Sequence, residues 1–474
     1  MLSQSAEPAV LTANSAPAPD SALPIQAAVP ESKPEEERGI LRWLHRGGLA
    51  IVDQALISGS NFLASILLAR WLVTESYGAY AVAFGIFVLL TLVYSALILE
   101  PMSVFGGAAY RHCLRGYVKS LLKMHAVVSL TFAVLVSLAV LLMRYYGRDA
   151  GLAGALFGVA LASPCVLLLW VLRRALYLKM HSGRAATGAV LYFVLMVTGL
   201  WAFNARSLLT PFNALFLMGA AALVASMLLL VFIRADLAPD ETPPPGFSEA
   251  CRKHWTYGRW ALASSFVAWI PAYIFLPLLT ALVGMAQSGE LKALTNFVAP
   301  LDQTLAALSL LFLPHAARVR AEESHQDVRT LTRNLLALSI AGAAVYWLIV
   351  VNLKTPVFNL LYRGKYADVA YLLPAVALGS ILWSAAYGPA ISLRAMESPK
   401  SVFTAYLVTS AICILVGVPA TRYFGLKGAI WSGNLADAVS LIVILAILYR
   451  KLNEGQGATS GQLQAMAAQG ESQL

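Results

Sequence analysis

Charge is scarce in this 474-residue chain. Only 12% of its residues are Asp, Glu, Lys or Arg, while 59% are hydrophobic; a soluble domain carries about a quarter charged. That scarcity excludes an ordinary water-soluble globule and suits a chain whose solvent is largely lipid. Cysteine is scarce too: Cys113, Cys165, Cys251 and Cys413 lie far apart with no Cys-x-x-Cys pair. Neither a disulfide framework nor a zinc site follows from that spacing, and the four read as small buried hydrophobes. The seven histidines are scattered, and there is neither a Walker loop nor a dinucleotide-binding glycine pattern. ATP hydrolysis, metal chemistry and covalent catalysis therefore have no residues to carry them, and the chain reads as a non-enzyme without a bound cofactor. A net charge of +10 would suggest nucleic acid in a soluble protein. Here it raises a different question, which side of a membrane holds the cations, and no nucleic-acid partner is expected.

What is present is apolar runs. A span needs roughly 20 mostly apolar residues, and twelve such runs lie near 48–71, 78–100, 121–143, 151–172, 186–203, 211–233, 257–283, 290–313, 334–353, 370–392, 401–419 and 427–449. The seventh contains Pro271 and Pro277, which a span tolerates at the cost of a kink. With both termini placed in the cytoplasm, most of the 34 Lys and Arg residues fall on the cytoplasmic side, as the positive-inside bias requires. An odd number of spans would scramble that alternation.

The domain layout follows. Residues 1–46 are rich in Ala, Pro and Ser, show no basic-then-apolar signal peptide, and read as a disordered cytoplasmic tail. Residues 47–234 form one six-helix half. Residues 235–253 hold a Pro run that makes a semi-rigid cytoplasmic linker. Residues 254–451 form the second half, and 452–474 a second polar, disordered tail. No loop between spans is long enough for a folded soluble domain.

The halves share turn chemistry. The second run starts at Gly78 and ends at Glu100-Pro101; the eighth starts at Gly289 and ends at Leu313-Pro314. Ser182-Gly183-Arg184 and Ser398-Pro399-Lys400 occupy matching places before spans five and eleven. The expected fold class is thus an all-α polytopic membrane protein, with twelve transmembrane helices in two six-helix bundles related by a pseudo-two-fold axis along the membrane normal. Such transporters carry substrate between the halves.

Polar residues inside spans mark candidate sites. Gln54, Ser58, Asn61 and Ser65 recur at spacings of 4, 3 and 4, one helical face. That face either packs on other helices or walls a hydrophilic cavity, and the cavity is the sharper expectation. Lys292, Asn296 and Gln303 share a face of span eight, with Thr295 and Asp302 on the neighbouring arc. Gly433, Asp437 and Ser440 line span twelve, with Asn434 one turn before Asp437. Asp53, about one turn into span one, and the mid-span Asp302 and Asp437 are candidate ion-coupling carboxylates, or structural, hydrogen-bonded ones. Arg70, Lys292, Arg206 and Arg259 are the cations that could meet a phosphate, although span-end cations also snorkel to the interface. Arg70 falls 22 residues after Gly48, roughly 33 Å along a helix, and reads as the exit of span one. Arg111, Arg115, Arg173 and Arg174 carry the positive-inside signal and could meet anionic lipid headgroups.

Three stretches carry a family resemblance. "SNFLASILLARWLVTESYGAYAVAFGIFVLL", "LYRGKYADVAYLLPAVALGSILW" and "YFGLKGAIWSGNLADAV" resemble, in order, the opening, the start of span ten and the start of span twelve of polysaccharide-biosynthesis membrane proteins. These belong to the multidrug/oligosaccharidyl-lipid/polysaccharide exporter superfamily. The resemblance covers about residues 47–450. It implies a bacterial inner-membrane flippase that moves an undecaprenyl-pyrophosphate-linked oligosaccharide to the outer leaflet for O-antigen, exopolysaccharide or capsule assembly. It further implies alternating access coupled to a proton or sodium ion, with polysaccharide polymerase and export machinery as partners beside the lipid-linked oligosaccharide and membrane lipids. A multidrug cation antiporter of the same superfamily is the alternative; it would need acidic residues in the N-terminal half, where Asp53 is the deep one. A membrane polymerase or ligase would need a substantial outer loop, which the chain lacks.

Overall fold

The computed structural model describes residues 33–179, 181–236, 239–306, 308, 312, 325–396 and 399–471, and all regular structure among them is helical. Residues Arg46–Leu474 make one compact unit. The helices are α1 (Lys33–Trp71), α2 (Thr74–Gly107), α3 (Leu114–Tyr145), α4 (Ala150–Leu178), α5 (Ser182–Ala205), α6 (Pro211–Asp236), α7 (Phe247–Tyr273), α8 (Phe275–Leu282), α9 (Met285–Thr295), α10 (His325–Asn352), α11 (Lys354–Tyr362), α12 (Leu373–Ala395), α13 (Pro399–Leu415) and α14 (Gly417–Glu471).

Among the described residues nine helices are long and apolar enough to cross a membrane, ten when the bent pair α7–α8 counts as one span, and Phe403–Leu415 is a shorter apolar one. Eleven of the twelve runs read from the sequence coincide with these. The other, 290–313, is represented by α9, a turn at 296–298 and helix over 299–306, and its end lies outside the described residues. The expected kink is there: α7 and α8 meet at 53°, with Pro271 in the last turn before the break and Pro277 in the first turn after it, each lacking the amide that would continue the ladder. Helix also extends beyond the spans at both ends. Residues 33–46 continue α1, whose second residue is Pro34, and α14 runs on to Glu471. Composition reads these stretches as tail; helix nucleated in the adjoining span continues through them although Gly455, Gly457, Gly461 and Gly470 each cost about 1 kcal/mol against Ala. Residues 1–32 lie outside the described set.

In the first half α4 packs against α3 and α6, and α6 against α5; in the second, α12 packs against α10 and α14, and α13 against α14. The halves meet where α2 crosses α9. A Cβ on Gly289 would lie 2.5 Å from the Thr74 carbonyl oxygen and 3.0 Å from the Gly78 amide nitrogen, and a Cβ on Gly78 would overlap the Met285 carbonyl. The contact is reciprocal: each glycine meets the residue four positions before the other. Reciprocity of this kind is the mark of a two-fold axis through the crossing, and the two glycines are those that begin the matched runs. Only a residue without a side chain lets backbone approach backbone this closely.

A second inter-half seam joins α2 to α7. Residues Ser95–Leu99 of α2 widen to a π turn just before Pro101. Pro101 has no amide to give the Leu97 carbonyl, four residues back. That carbonyl is instead 3.0 Å from His254 Nδ1 of α7, whose Nε2 lies 2.8 Å from the Tyr117 hydroxyl of α3. In the neutral ring Nδ1–H donates to the carbonyl and Nε2 accepts from Tyr117. Further along, Trp269 Nε1 donates to the Gly85 carbonyl at 3.0 Å.

The linker between the halves is anchored. Asp240 accepts the amides of Arg115 and Gly116 at 2.9 and 2.8 Å, capping α3. His112 Nδ1 lies 2.9 Å from Glu241 Oε2. The membrane side that carries this segment is the linker face.

Candidate functional site

The second half holds a partly open cavity of about 470 Å³ lined in part by Tyr273, Lys292, Thr295, Asp302, Ser380 and Asp437. Lys292, Thr295 and Asp302 reach it along one arc of span eight. The turn at 296–298 resets the helix there. The face read from the sequence, Lys292–Asn296–Gln303, does not survive as one wall: Asn296 turns into the contact with the first half, and Gln303 is exposed and stands outside the cavity lining. The neighbouring arc holds the chemistry. Asp302 Oδ1 and Ser380 Oγ are buried without a hydrogen-bond partner among the described residues. Asn434 donates to the Ala375 carbonyl at 2.8 Å. Gly379 has no room for a Cβ, which would strike the Asn434 amide oxygen and come within 3.6 Å of Asp437 Oδ2. A lysine, two carboxylates, several hydroxyls and an amide thus face one cavity. An unpaired buried carboxylate oxygen is costly, so it awaits a proton, a cation or a polar ligand.

The polar stripe of α1 grades from solvent to interior. Gln54 is exposed and donates to Ser58 at 3.3 Å; Ser58 and Asn61 are half-buried; Ser65 is buried. At the buried end the Ser65 hydroxyl donates to Asn296 Oδ1 at 2.9 Å and lies 2.8 Å from the Tyr77 hydroxyl. Asn296 Nδ2 donates to Tyr77 at 2.9 Å and to Tyr362 at 3.3 Å, and Tyr362 donates to the Ala293 carbonyl at 2.9 Å. Two expected cavity residues, Ser65 and Asn296, therefore meet each other in a sealed network at the end of the stripe away from the linker face. Just beyond, Arg70 Nη1 donates to the Leu360 carbonyl at 3.0 Å, and the Lys365 ammonium donates to the carbonyls of Ala69 at 3.1 Å, Arg70 at 3.0 Å and Leu72. Partial burial holds that ammonium below the ordinary lysine range. Each cation satisfies carbonyls at the C-terminal end of a helix in the other half. Arg70 does mark the exit of span one, and it also ties that exit to α11.

Asp53 stands apart from both places. It is fully buried, and Arg173 Nε donates to its Oδ1 at 3.1 Å while Arg173 Nη2 and the Tyr177 hydroxyl donate to its Oδ2. A two-pronged guanidinium fixes the carboxylate and straps α1 to α4. Sequence reading counted Arg173 among the loop cations, because a buried Arg near a span end looks the same as a positive-inside Arg. Tyr77, Tyr362 and Ser380 were missed as well; nothing in an apolar run distinguishes a networked tyrosine from a packed one.

No family model matches the sequence, and no curated protein matches it. Solved structures do. A structure described as the inward-facing conformation of a multidrug resistance MATE family transporter of the MOP superfamily superposes with a TM-score of 0.74 at 12% identity, covering 86% of this chain and 99% of that one. One described as an outward-facing conformation of a MATE family transporter of the same superfamily gives 0.60 at 13% identity, over 89% and 97%. The lipid II flippase MurJ in an inward closed conformation gives 0.61 at 12% identity, over 86% and 87%. These are transporters and a flippase, and the chain has the all-helical, multi-pass fold they share.

Proposed function

We propose that the chain is a flippase that moves an undecaprenyl-pyrophosphate-linked oligosaccharide from the inner to the outer leaflet of the bacterial inner membrane for O-antigen, exopolysaccharide or capsule assembly. Both termini and the linker face lie in the cytoplasm in this reading. The stripe Gln54–Ser58–Asn61 offers the glycan neutral hydrogen-bonding groups on the open side, and Lys292, which lines the second-half cavity, is the cation for a phosphate. Asp302 and Asp437 take up and release the coupling proton or sodium ion as the halves rock.

The observation that carries the choice of substrate is the state of Asp53. A multidrug cation antiporter needs a free carboxylate in the first half, and the deep one there is held by Arg173 and Tyr177. Alternating access is supported by the way the halves are joined. Ser65 with Asn296 and Gly78 with Gly289 lie at the far end, whereas Gln54 and Gln303 are exposed toward the linker face. The higher TM-score with the inward-facing MATE transporter than with the outward-facing one agrees. The antiporter reading is favoured by the two carboxylates of the second-half cavity and by the higher TM-score with a MATE transporter than with MurJ.

Deletion of the gene separates the two. A flippase leaves a lipid-linked glycan accumulating in the cytoplasmic leaflet with loss of surface polysaccharide. Intact polysaccharide together with altered resistance to cationic dyes would replace this reading with the antiporter.

A further inference from the structure

A second hollow, larger than the first, lies where no transport role has been placed. It measures about 810 Å³ and runs between Phe105, near the end of α2, and a face of α7 formed by Arg252, Lys253, Thr256, Tyr257, Trp260, Ala261 and Ser264. From Arg252 to Ser264 is twelve residues, roughly 18 Å of helix, so the hollow stretches from the linker-face end of the span well into its apolar part. Its chemistry changes along that length. Cations stand at the linker-face end and aromatic rings below them.

The cations are not equivalent. Lys253 is paired with Glu249 at 2.9 Å and sits over the Tyr110 ring at 5.1 Å. Arg252 is exposed and makes no ion pair or side-chain hydrogen bond among the described residues. Arg259 has no carboxylate partner among them either, and lies 5.6 Å over the Trp260 ring. Trp260 is 71% exposed and Tyr257 41% exposed, while Phe105 packs edge-on to Tyr257 at 6.0 Å. An indole at a membrane boundary prefers the headgroup level, with its ring against acyl chains. Unpaired guanidinium above and a concave aromatic floor below match a molecule with an anionic head and an apolar tail.

We propose that this groove binds an anionic phospholipid of the linker-face leaflet, with Arg252 holding the phosphate, and Trp260 and Phe105 lying along the upper acyl chain. The bound lipid fills the outer side of the α2–α7 seam, next to the Leu97–His254–Tyr117 bonds, and is independent of which substrate the protein carries. Guanidinium suits the task because its planar donors bind phosphate oxygens in pairs.

Full-length protein reconstituted in nanodiscs of equimolar phosphatidylglycerol and phosphatidylcholine is released for native mass spectrometry, and the ratio of the two lipids retained is read. Wild type is expected to keep phosphatidylglycerol in excess. In R252Q that excess should fall about fivefold, the effect of one basic residue at an anionic surface, and R234Q, an exposed cation at the end of α6, should leave it unchanged. Millimolar glycerol 3-phosphate should not displace the lipid. An unaltered ratio in R252Q, an equal loss in R234Q, or displacement by glycerol 3-phosphate would overturn the proposal, the last by showing a free-phosphate site. Should R252Q yield no folded protein, W260A carries the same comparison: a lowered ratio is expected, and an unchanged one overturns the assignment.

Discussion

The Ser65 hydroxyl of the first half donates to Asn296 Oδ1 of the second across 2.9 Å, inside a buried set of two tyrosines. The bond is local in space yet spans 231 positions of sequence. Replacing Asn296 with Leu leaves the Tyr77 and Tyr362 hydroxyls short of partners, at a cost of about 1 kcal/mol for an interhelical bond in a membrane. Spin labels at Val73 and Leu353, exposed positions on the two halves, should report a longer and broader distance in N296L. A distribution identical to wild type would mean the network does not hold the halves together.

Gly289→Val places its first side-chain carbon 2.5 Å from the Thr74 carbonyl, and no rotamer relieves a Cβ clash. The closed arrangement at the far face should be lost. Transport should fall at least tenfold with normal membrane insertion, and Gly78→Val should do the same by the reciprocal clash. Wild-type transport in either variant would show that the two backbones need not touch during the cycle.

Asp302 and Asp437 face one cavity, and Asp302 keeps an oxygen without a partner. Asp302→Asn or Asp437→Asn should reduce transport in proteoliposomes and flatten its dependence on an imposed proton or sodium gradient, while thermal stability holds. Gly379→Val, which crowds Asn434 and Asp437, should lower transport without altering either carboxylate. Full activity and unchanged ion dependence in both Asp variants would remove them from coupling.

Asp53→Asn should behave differently from those two. It leaves Arg173 buried without its counter-charge, which costs about 3–5 kcal/mol. The melting midpoint in detergent should drop far more than for Asp302→Asn, and Asp53→Leu with Arg173→Met should lose less than the two single changes together. Additive losses would mean that the pair is not coupled.

Much of the fold was legible because its signals are coarse. Lipid demands long apolar runs, so each span announces itself, and Pro271 with Pro277 announced the bend of α7 onto α8. Even the axis left a trace, in the glycines that begin runs two and eight. The site was legible in part. Asp302 and Asp437 stood out because a carboxylate in mid-span is rare. The face of span eight was misjudged because helical phase was carried through the turn at 296–298. Asp53 was read as a candidate for coupling since its partner, Arg173, lies 120 positions away and resembles any other cytoplasmic arginine. What escaped the sequence was pairing, which depends on helices brought together by packing rather than on any local pattern.

The crossing of Gly78 and Gly289 has a mechanical consequence. It sits at one face of an apolar layer roughly 30 Å thick, so it acts as a fulcrum with a long arm toward the linker face and almost none on the other side. A rotation of about 10° around it would part the linker-face ends by roughly 5 Å over that length while hardly disturbing Ser65 and Asn296. Opening the opposite face is not the same motion reversed, since it requires the fulcrum itself to come apart. The cycle then has unequal halves: a compliant swing on the linker side, and a cooperative release on the other in which the glycine crossing, the tyrosine network and the Arg70 and Lys365 ties yield together.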